Sequence, residues 1–361
     1  MLKSLKIENF RSFPFFDMQQ LGRLNLIVGT NNSGKTSILE AIHLLTAQSN
    51  LDVLQILRNI MFGRGEYIRD EEGTRELDIR HIFYGHEFVT DSKFSIFGEM
   101  ESALAETISM AIENNPEKSN HLSELSAQLL SISRSGKKDV LDKIPLSING
   151  TVPIAYTSNN IRRLPKDTEV KVQFVSSSSL TTERMIYLFD RVVLTTAEEL
   201  VIEALQTIEK DVKKIATNTS DKLIGYKESR AGFFILLANN NQRIPIGSMG
   251  DGMWRMLGLA LAIVNAKDGV LLVDEIDTGL HFTVMSDMWK MIWETAKRFN
   301  VQVFATTHSS DCWTSLADIA NTHNPSEDGI TIHRVEKGKQ NSIVFTERQI
   351  AIAAERHIEV R

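Results

Sequence analysis

The chain has 361 residues, 42% hydrophobic and 24% charged, with a formal net charge of −6 and one cysteine, Cys312. That composition supports a sizeable core and excludes wholesale disorder, a disulfide framework and a cysteine-based metal site. The acidic balance excludes a global basic footprint for nucleic acid, so the local runs "SRSGKK", "NIRRLPK" and "EKDVKK" read first as solvated faces.

The opening "MLKSLKIENF" lacks the apolar centre of a signal peptide and alternates like a strand. The apolar run at residues 24–28, "LNLIV", predicts a buried strand, and Ile38, Leu39, Ile42 and Leu45 predict a helix over 35–47. Between them lies "GTNNSGKTS", which fits G-x-x-x-x-G-K-[ST] at Gly29, Gly34, Lys35 and Thr36. Strand, loop and helix are the context this motif needs. Glycines let backbone N–H groups turn inward on phosphate oxygens, and the helix N-terminus adds partial positive charge. The candidate phosphate-binding residues are therefore Gly29, Asn31, Asn32, Ser33, Gly34, Lys35, Thr36 and Ser37. Lys35 is placed to reach the β- and γ-phosphates and Thr36 to put its hydroxyl on Mg²⁺. The motif indicates a nucleoside triphosphate without choosing ATP over GTP.

Residues 77–97 read as extended, and 99–133 as a polar, helix-favouring segment, which predicts a helical insertion over 98–145. Short strands return over 144–176, notably "VKVQFV". Two helical patterns, "TERMIYLFDRV" and "TAEELVIEALQTIEKDVKKI", predict a second helical insertion over 183–222. In the latter, Leu200, Ile202, Leu205, Ile208, Val212 and Ile215 fall along one face. "GFFILLA" and "QRIPI" then read as a β-hairpin around "NNN".

In "IPIGSMGDGMWRMLGLALAIV", residues 244–264, Ser248, Gly250 and Gly252 precede a strongly apolar helix, a second candidate anion site. Its run "MLGLALAIV" is far shorter than the roughly 18 residues of a membrane span. One nucleotide seldom needs two such helix ends in one chain. Two copies facing head to tail would each supply one. "GVLLVDEID" reads as a buried parallel strand ending in Asp274, placed for Mg²⁺, and Glu275, placed to polarise the attacking water. A helix over Phe282 to Phe299 and the strand "VQVFATTH" follow, with His308 at the strand's end as a γ-phosphate sensor. "ITIHRVEKGK" and "NSIVF" read as a closing hairpin.

Phe10–Arg11–Ser12 in "KIENFRSF", the P-loop, the serine-glycine signature, "LLVDEIDTGLH" and "FATTHS" together resemble the ABC-type ATPases of the RecF, SMC and overcoming-lysogenization-defect group. The resemblance implies one α/β head over 1–361, with a mixed-sheet lobe, a parallel-sheet core and short helical insertions. It implies that Lys35 and Thr36 form the Walker A pair and Asp274 and Glu275 the Walker B pair. Lys35, Glu275 and His308 would be catalytic, and Thr36 and Asp274 would hold Mg²⁺. Ser248 and Gly250 would act across a dimer on the partner copy's γ-phosphate, Asp277 would couple the two sites, and Arg11 would stand near the nucleotide. Gln173 is the candidate for the family's Mg²⁺-binding glutamine. Phe282 stands where relatives usually have proline.

Only 49 residues follow Cys312, without a D-x-D, so no Toprim nuclease is expected in this chain. The resulting expectation is a cytoplasmic ATPase using ATP and Mg²⁺ as a homodimer or higher homo-oligomer. It would be the sensor or scaffold of a prokaryotic defence system with a separate Toprim-like nuclease or toxin as effector. The competing expectation is a RecF-like ATP-gated clamp on DNA. A transporter subunit fits poorly, because nothing matches L-S-G-G-Q and "IENFRSF" is typical of the DNA-associated branch.

Overall fold

A computed structural model describes residues 1–69, 73, 75–86, 89–102, 105–114, 125–135, 143–147, 150–153, 171–217, 232–238, 240–322 and 329–361. The basic run "NIRRLPK" lies outside them, as does the end of "SRSGKK". The chain divides into two compact units. Unit 1 is Met1–Leu21, Thr30–Glu169 and Val335–Ile343; unit 2 is Gly22–Gly29, Val170–Arg334 and Val344–Arg361. The head expected over 1–361 comprises these two units, and the chain crosses from unit 2 to unit 1 inside the glycine-rich loop.

Unit 1 is built on an antiparallel sheet. Strands β1 (Leu2–Phe10) and β2 (Phe13–Met18) form a hairpin whose tip turns at Arg11, in the left-handed region at φ 54°. In unit 2, β3 (Leu24–Val28) is buried at every position. Back in unit 1, α1 (Lys35–Leu45) follows the loop, and α2 (Asn50–Arg64) starts at a Ser49–Asp52 capping box and stops at Gly65. The sequence reading had no helix at α2. Short strands β4 (Tyr67–Arg69) and β5 (Arg75–Leu77) pair, and two 3₁₀ turns occupy Ile79–Ile82 and Tyr84–His86, where extended chain was expected. Then come β6 (Lys93–Met100), β7 (Ala105–Asn114), β8 (Leu125–Arg134), β9 (Lys143–Ser147) and β10 (Val152–Pro153). The large sheet runs β2-β1-β6-β7-β8-β9. Helix α1 lies close on it: a Cβ on Gly98 would come 2.4 Å from Leu45.

The helical insertion over 98–145 is therefore corrected, because its described residues are strands. On β7, Ile108, Met110 and Ile112 are buried while their neighbours are not, a period of two. Ser109 and Ala111 between them are half-buried on the other face, and the mixed run read as a weakly amphipathic helix.

Unit 2 carries the parallel sheet. Its further strands are β11 (Val172–Val175), β15 (Val270–Val273), β16 (Gln302–Thr307), β17 (Ile330–Arg334) and β18 (Ile343–Thr346), in the order β11-β15-β16-β3-β17-β18. Strands β11, β15, β16, β3 and β17 are mutually parallel, and β16 is buried throughout, as expected for a sheet covered on both faces. The helices of the unit are α3 (Thr182–Asp190), α4 (Thr196–Gln206), α5 (Asp251–Val264), α6 (Met285–Arg298), α7 (Ser310–Thr322) and α8 (Glu347–Glu355). Helix α5 is buried from Met253 to Val264, so it runs through the core. A second sheet, β12 (Val212–Thr217), β13 (Phe233–Leu237) and β14 (Asn240–Pro245), includes the expected hairpin.

The second helical insertion is corrected in part. Helix α4 ends at Gln206, and Val212 and Ile215 are buried on strand β12 instead of continuing its face. Residues 218–222 lie outside the described residues. The helix expected from Phe282 begins as a 3₁₀ turn, Phe282–Val284, before α6. No helix of the described residues is long and apolar enough to cross a membrane.

Candidate functional site

In unit 1 the loop is shaped by contact. Gly34 sits at φ 101°, and a Cβ there would lie 2.3 Å from the Phe13 ring and 2.9 Å from Ser12 Oγ. Only glycine fits both that conformation and that space. Asn31 and Asn32 are exposed and Asn32 is also left-handed, at φ 59°. Lys35 Nζ donates to the Thr30 carbonyl oxygen at 2.9 Å, closing the loop. No side chain caps the start of α1, and its first turn holds no acid. Ser37 is buried in that first turn, and Ser33 Oγ is buried without a hydrogen-bond partner. A backbone-lined, acid-free helix start with an orphaned hydroxyl fits a phosphate group.

Arg11, next to Ser12 and Phe13 on the hairpin tip, is held by two carboxylates. Its guanidinium is 5% exposed, with Nη1 2.6 Å from Glu66 Oε1 and Nε 3.1 Å from Glu40 Oε2. Nη1 also donates to the His81 carbonyl at 3.0 Å. Glu40 lies on α1; burial pushes its carboxyl up, against the pull of Arg11 and Arg64. Arg11 thus ties the hairpin tip to the helix that follows the loop.

In unit 2, Asp274 and Glu275 follow β15, at the carboxyl end of a parallel strand. Thr306 on β16 organises both: its hydroxyl donates to Asp274 Oδ1 at 2.6 Å and accepts from the Glu275 N–H at 2.9 Å. Glu275 is left-handed at φ 47°, which costs a non-glycine residue about 1–2 kcal/mol. Strain of that kind, held by its surroundings, gathers at functional sites. Thr307 donates to Asp277 Oδ1 at 2.7 Å, fixing the next acid of the turn. His308 Nδ1 stands 4.0 Å from Glu275 Oε1, so the structure brings Asp274, Glu275, Asp277 and His308 together.

Sequence reasoning missed Arg255 and Thr306. Arg255, 3% exposed on α5, donates to the carbonyls of Ser176 at 2.6 Å, Asp274 at 3.0 Å and Glu275 at 2.8 Å. Burial draws its guanidinium down to about 10, partly offset by Asp277, Asp274 and Glu275, so it stays charged at neutral pH. The available signal was one arginine inside the apolar "MWRMLGLALAIV". Thr306 had no signal beyond its place beside His308.

Ser248 and Gly250 are exposed; Ser248 lies on a 3₁₀ turn (Ile246–Met249) and Gly250, at φ 91°, begins α5 without a side-chain cap. Gly252, expected before the helix, is its second residue. A Cβ on it would meet the Gly279 carbonyl at 3.2 Å, so α5 starts against the loop after Asp277. Gln173 is corrected as a metal candidate. It is 2% exposed within β11, and its Oε1 accepts from Arg184 at 2.8 Å. Among the described residues, no group of three or more His, Cys, Asp or Glu side chains could hold a metal ion. In unit 2 the Asp274 carboxylate, and in unit 1 the Thr36 hydroxyl, are each hard oxygen donors of the kind Mg²⁺ accepts, an ion that completes its shell with water and phosphate oxygen.

The family model for the AAA ATPase domain matches residues 1–312. An ATP/GTP phosphatase of Helicobacter pylori is 23% identical over 341 residues, covering 86% of each chain. The DNA replication and repair protein RecF of Francisella tularensis is 37% identical over 67 residues, 19% of each chain. Among solved structures, an SMC head bound to the C-winged helix domain of ScpA superposes with a TM-score of 0.53 at 13% identity, covering 96% of this chain and 97% of that one. The fold is thus that of the ABC-type heads. With the phosphate loop and the strand-end acids both present, the chain belongs to the AAA ATPase domain family, as an ABC-type ATPase similar to the RecF and SMC group.

Proposed function

We propose that this chain is a Mg²⁺-dependent ATPase that dimerises around ATP and serves as sensor or scaffold of a prokaryotic anti-phage defence system with a separate effector. The observation that carries the hydrolytic reading is the strained Glu275, braced at its N–H by Thr306 and at its carbonyl by Arg255. The amides of Gly29 to Thr36 and the Lys35 ammonium hold the phosphates. Thr36 and Asp274 offer oxygen ligands to Mg²⁺. When bound, that ion would neutralise charge developing on the transferred phosphoryl group. Glu275 accepts the proton of the attacking water, and His308 orients the γ-phosphate from beside it. Arg11 stands near the nucleotide and braces α1 through its pair with Glu40.

Dimerisation rests on the exposure of Ser248 and Gly250 at an uncapped helix start. Asp251 in that first turn opposes an anion, so the Ser248 hydroxyl and the Gly250 backbone carry the contact to the partner copy's γ-phosphate. Asp277, held beside that helix start by Thr307, would relay the contact to Glu275.

The test is Glu275→Gln. It keeps shape and loses the base, so ATP should persist and light scattering should show an ATP-dependent dimer; unchanged turnover would place the base elsewhere. Adding Ser248→Arg should abolish the dimer while leaving ATP binding intact. Loss of binding instead would place Ser248 in its own chain's pocket. The defence role predicts that a cytoplasmic complex with the product of a neighbouring gene reduces phage plating, and that Lys35→Ala cancels this. The RecF-like reading has the short RecF match in its favour; tight ATP-dependent binding of duplex DNA by the chain alone would select it.

A further inference from the structure

His308 follows β16 and precedes α7, and its backbone, not its ring, is what the structure anchors. The imidazole is 55% exposed, and its nearest acid is Glu275 at 4.0 Å. The parallel ladder of β16 on β3 ends one residue earlier, at Thr307. The His308 carbonyl oxygen lies beyond it and accepts from Arg361 Nη1 at 2.6 Å.

Arg361 is well prepared for that bond. After α8, three hydrogen bonds close the turn: Arg356 N–H to the Ile352 carbonyl, His357 N–H to Ala354 and Ile358 N–H to Ala353, at 3.1, 3.2 and 2.8 Å. His357 is left-handed at φ 54°, which reverses the chain. Val360 is then fully buried in the core of unit 2. On either side of it, Glu359 and Arg361 point back to α7. Glu359 Oε1 accepts from Trp313 Nε1 at 3.2 Å and from the Arg361 N–H at 3.3 Å, and pairs with Arg361 Nε at 3.2 Å. One face of the guanidinium is thereby fixed by Glu359, leaving Nη1 directed at His308.

We propose that the segment Ile358–Arg361 is a strap that positions His308, with Arg361 as the positioning residue and Glu359 as its support. Val360 locks the strap into the core, so the reach of Arg361 is set by the fold. With the His308 backbone held at one end of the peptide, the exposed ring has fewer positions available beside Glu275. The inference rests on the reading of His308 as the γ-phosphate sensor and adds what places that sensor.

A double-mutant cycle on ATP turnover in the full chain tests it. Arg361→Ala should lower kcat about three- to ten-fold with KM for ATP unchanged, the loss of one partly exposed charge-assisted bond. Arg361→Lys should recover part of that loss. In a His308→Asn background, Arg361→Ala should have no further effect, because its action runs through the ring. Thermal unfolding of Arg361→Ala should match the parent, since the side chain is 41% exposed. Equal losses from Arg361→Ala in both backgrounds would overturn the strap while leaving the His308 sensor intact. Full activity of His308→Asn would overturn the sensor and the strap with it.

Discussion

Around Gly34 the chain is held by shape, and around Glu275 it is held by hydrogen bonds. In unit 1 the Phe13 ring and Ser12 Oγ leave no room for a Cβ, so the loop backbone has one path and its amides face one way. In unit 2 the turn after β15 could take several paths; Thr306, Thr307 and Arg255 choose one by bonding to Asp274, Glu275 and Asp277. A steric cradle suits a ligand bound through main-chain groups, whose position must not vary. A hydrogen-bonded turn suits carboxylates that must change partners during a reaction. Binding and turnover should therefore separate cleanly by mutation.

The largest expected effect is on binding. Lys35→Ala removes the ammonium of the cradle, at a cost of about 2–5 kcal/mol for a charge-assisted contact to phosphate. ATP affinity measured by calorimetry should fall at least about 30-fold, and turnover should fall with it. Glu275→Gln is the counterpart in the other unit: affinity preserved and turnover lower by about 10²-fold or more. Near-normal ATP binding by Lys35→Ala would erase the contrast.

Acid should unfold both units for the same reason. His43, on α1, is wholly buried and burial lowers it to about 4; His333, on β17, is lowered by burial to about 3. An exposed histidine in the unfolded chain titrates near ~6.5. Each ring is thus neutral when folded and takes a proton on unfolding, so its contribution is complete above pH ~6.5 and is lost as pH falls from there toward 4 or 3. Melting temperature should decline across that window, and His43→Gln and His333→Gln should each flatten the decline. A pH-independent melting temperature between ~4 and ~6.5 would mean that both rings are reached by water when folded.

The two regions also differed in how far the sequence exposed them. The strands β3, β15 and β16 were legible because burial on both faces demands unbroken apolar runs, and the P-loop was legible because its chemistry fixes residue type at fixed spacing. The antiparallel sheet of unit 1 was not. Its alternation at Ile108, Met110 and Ile112 runs through Ala, Glu and Met, which favour helices, so local propensity opposed the period of two. At α4 the error ran the other way: Val212 and Ile215 continue a helical spacing, but packing assigns them to β12. Arg11 was found by motif, but its two glutamate partners were not, since they lie 29 and 55 residues away in the chain. Arg255 and Thr306 act by hydrogen bonds across the fold, and no local pattern announces such partners.

Thr306→Val is the smallest change and the sharpest test of the contrast. Valine nearly copies the shape of threonine, so the fully buried site stays filled and the steric part of the structure is untouched. What disappears is one hydroxyl with two duties, the donor to Asp274 Oδ1 and the acceptor for the Glu275 N–H. Leaving a buried amide unpaired costs about 1–3 kcal/mol, part of which the turn can recover by relaxing Glu275 out of its left-handed conformation. That relaxation moves the carboxylate. Turnover should therefore drop about ten-fold, while KM for ATP holds, because the partners of the Thr306 hydroxyl are Asp274 and Glu275. Thr306→Ser, which restores the hydroxyl, should recover most of the rate. Weaker ATP binding with the turnover of bound ATP unchanged would show instead that the hydroxyl serves the phosphate cradle, and the separation of shape from hydrogen bonding would fail.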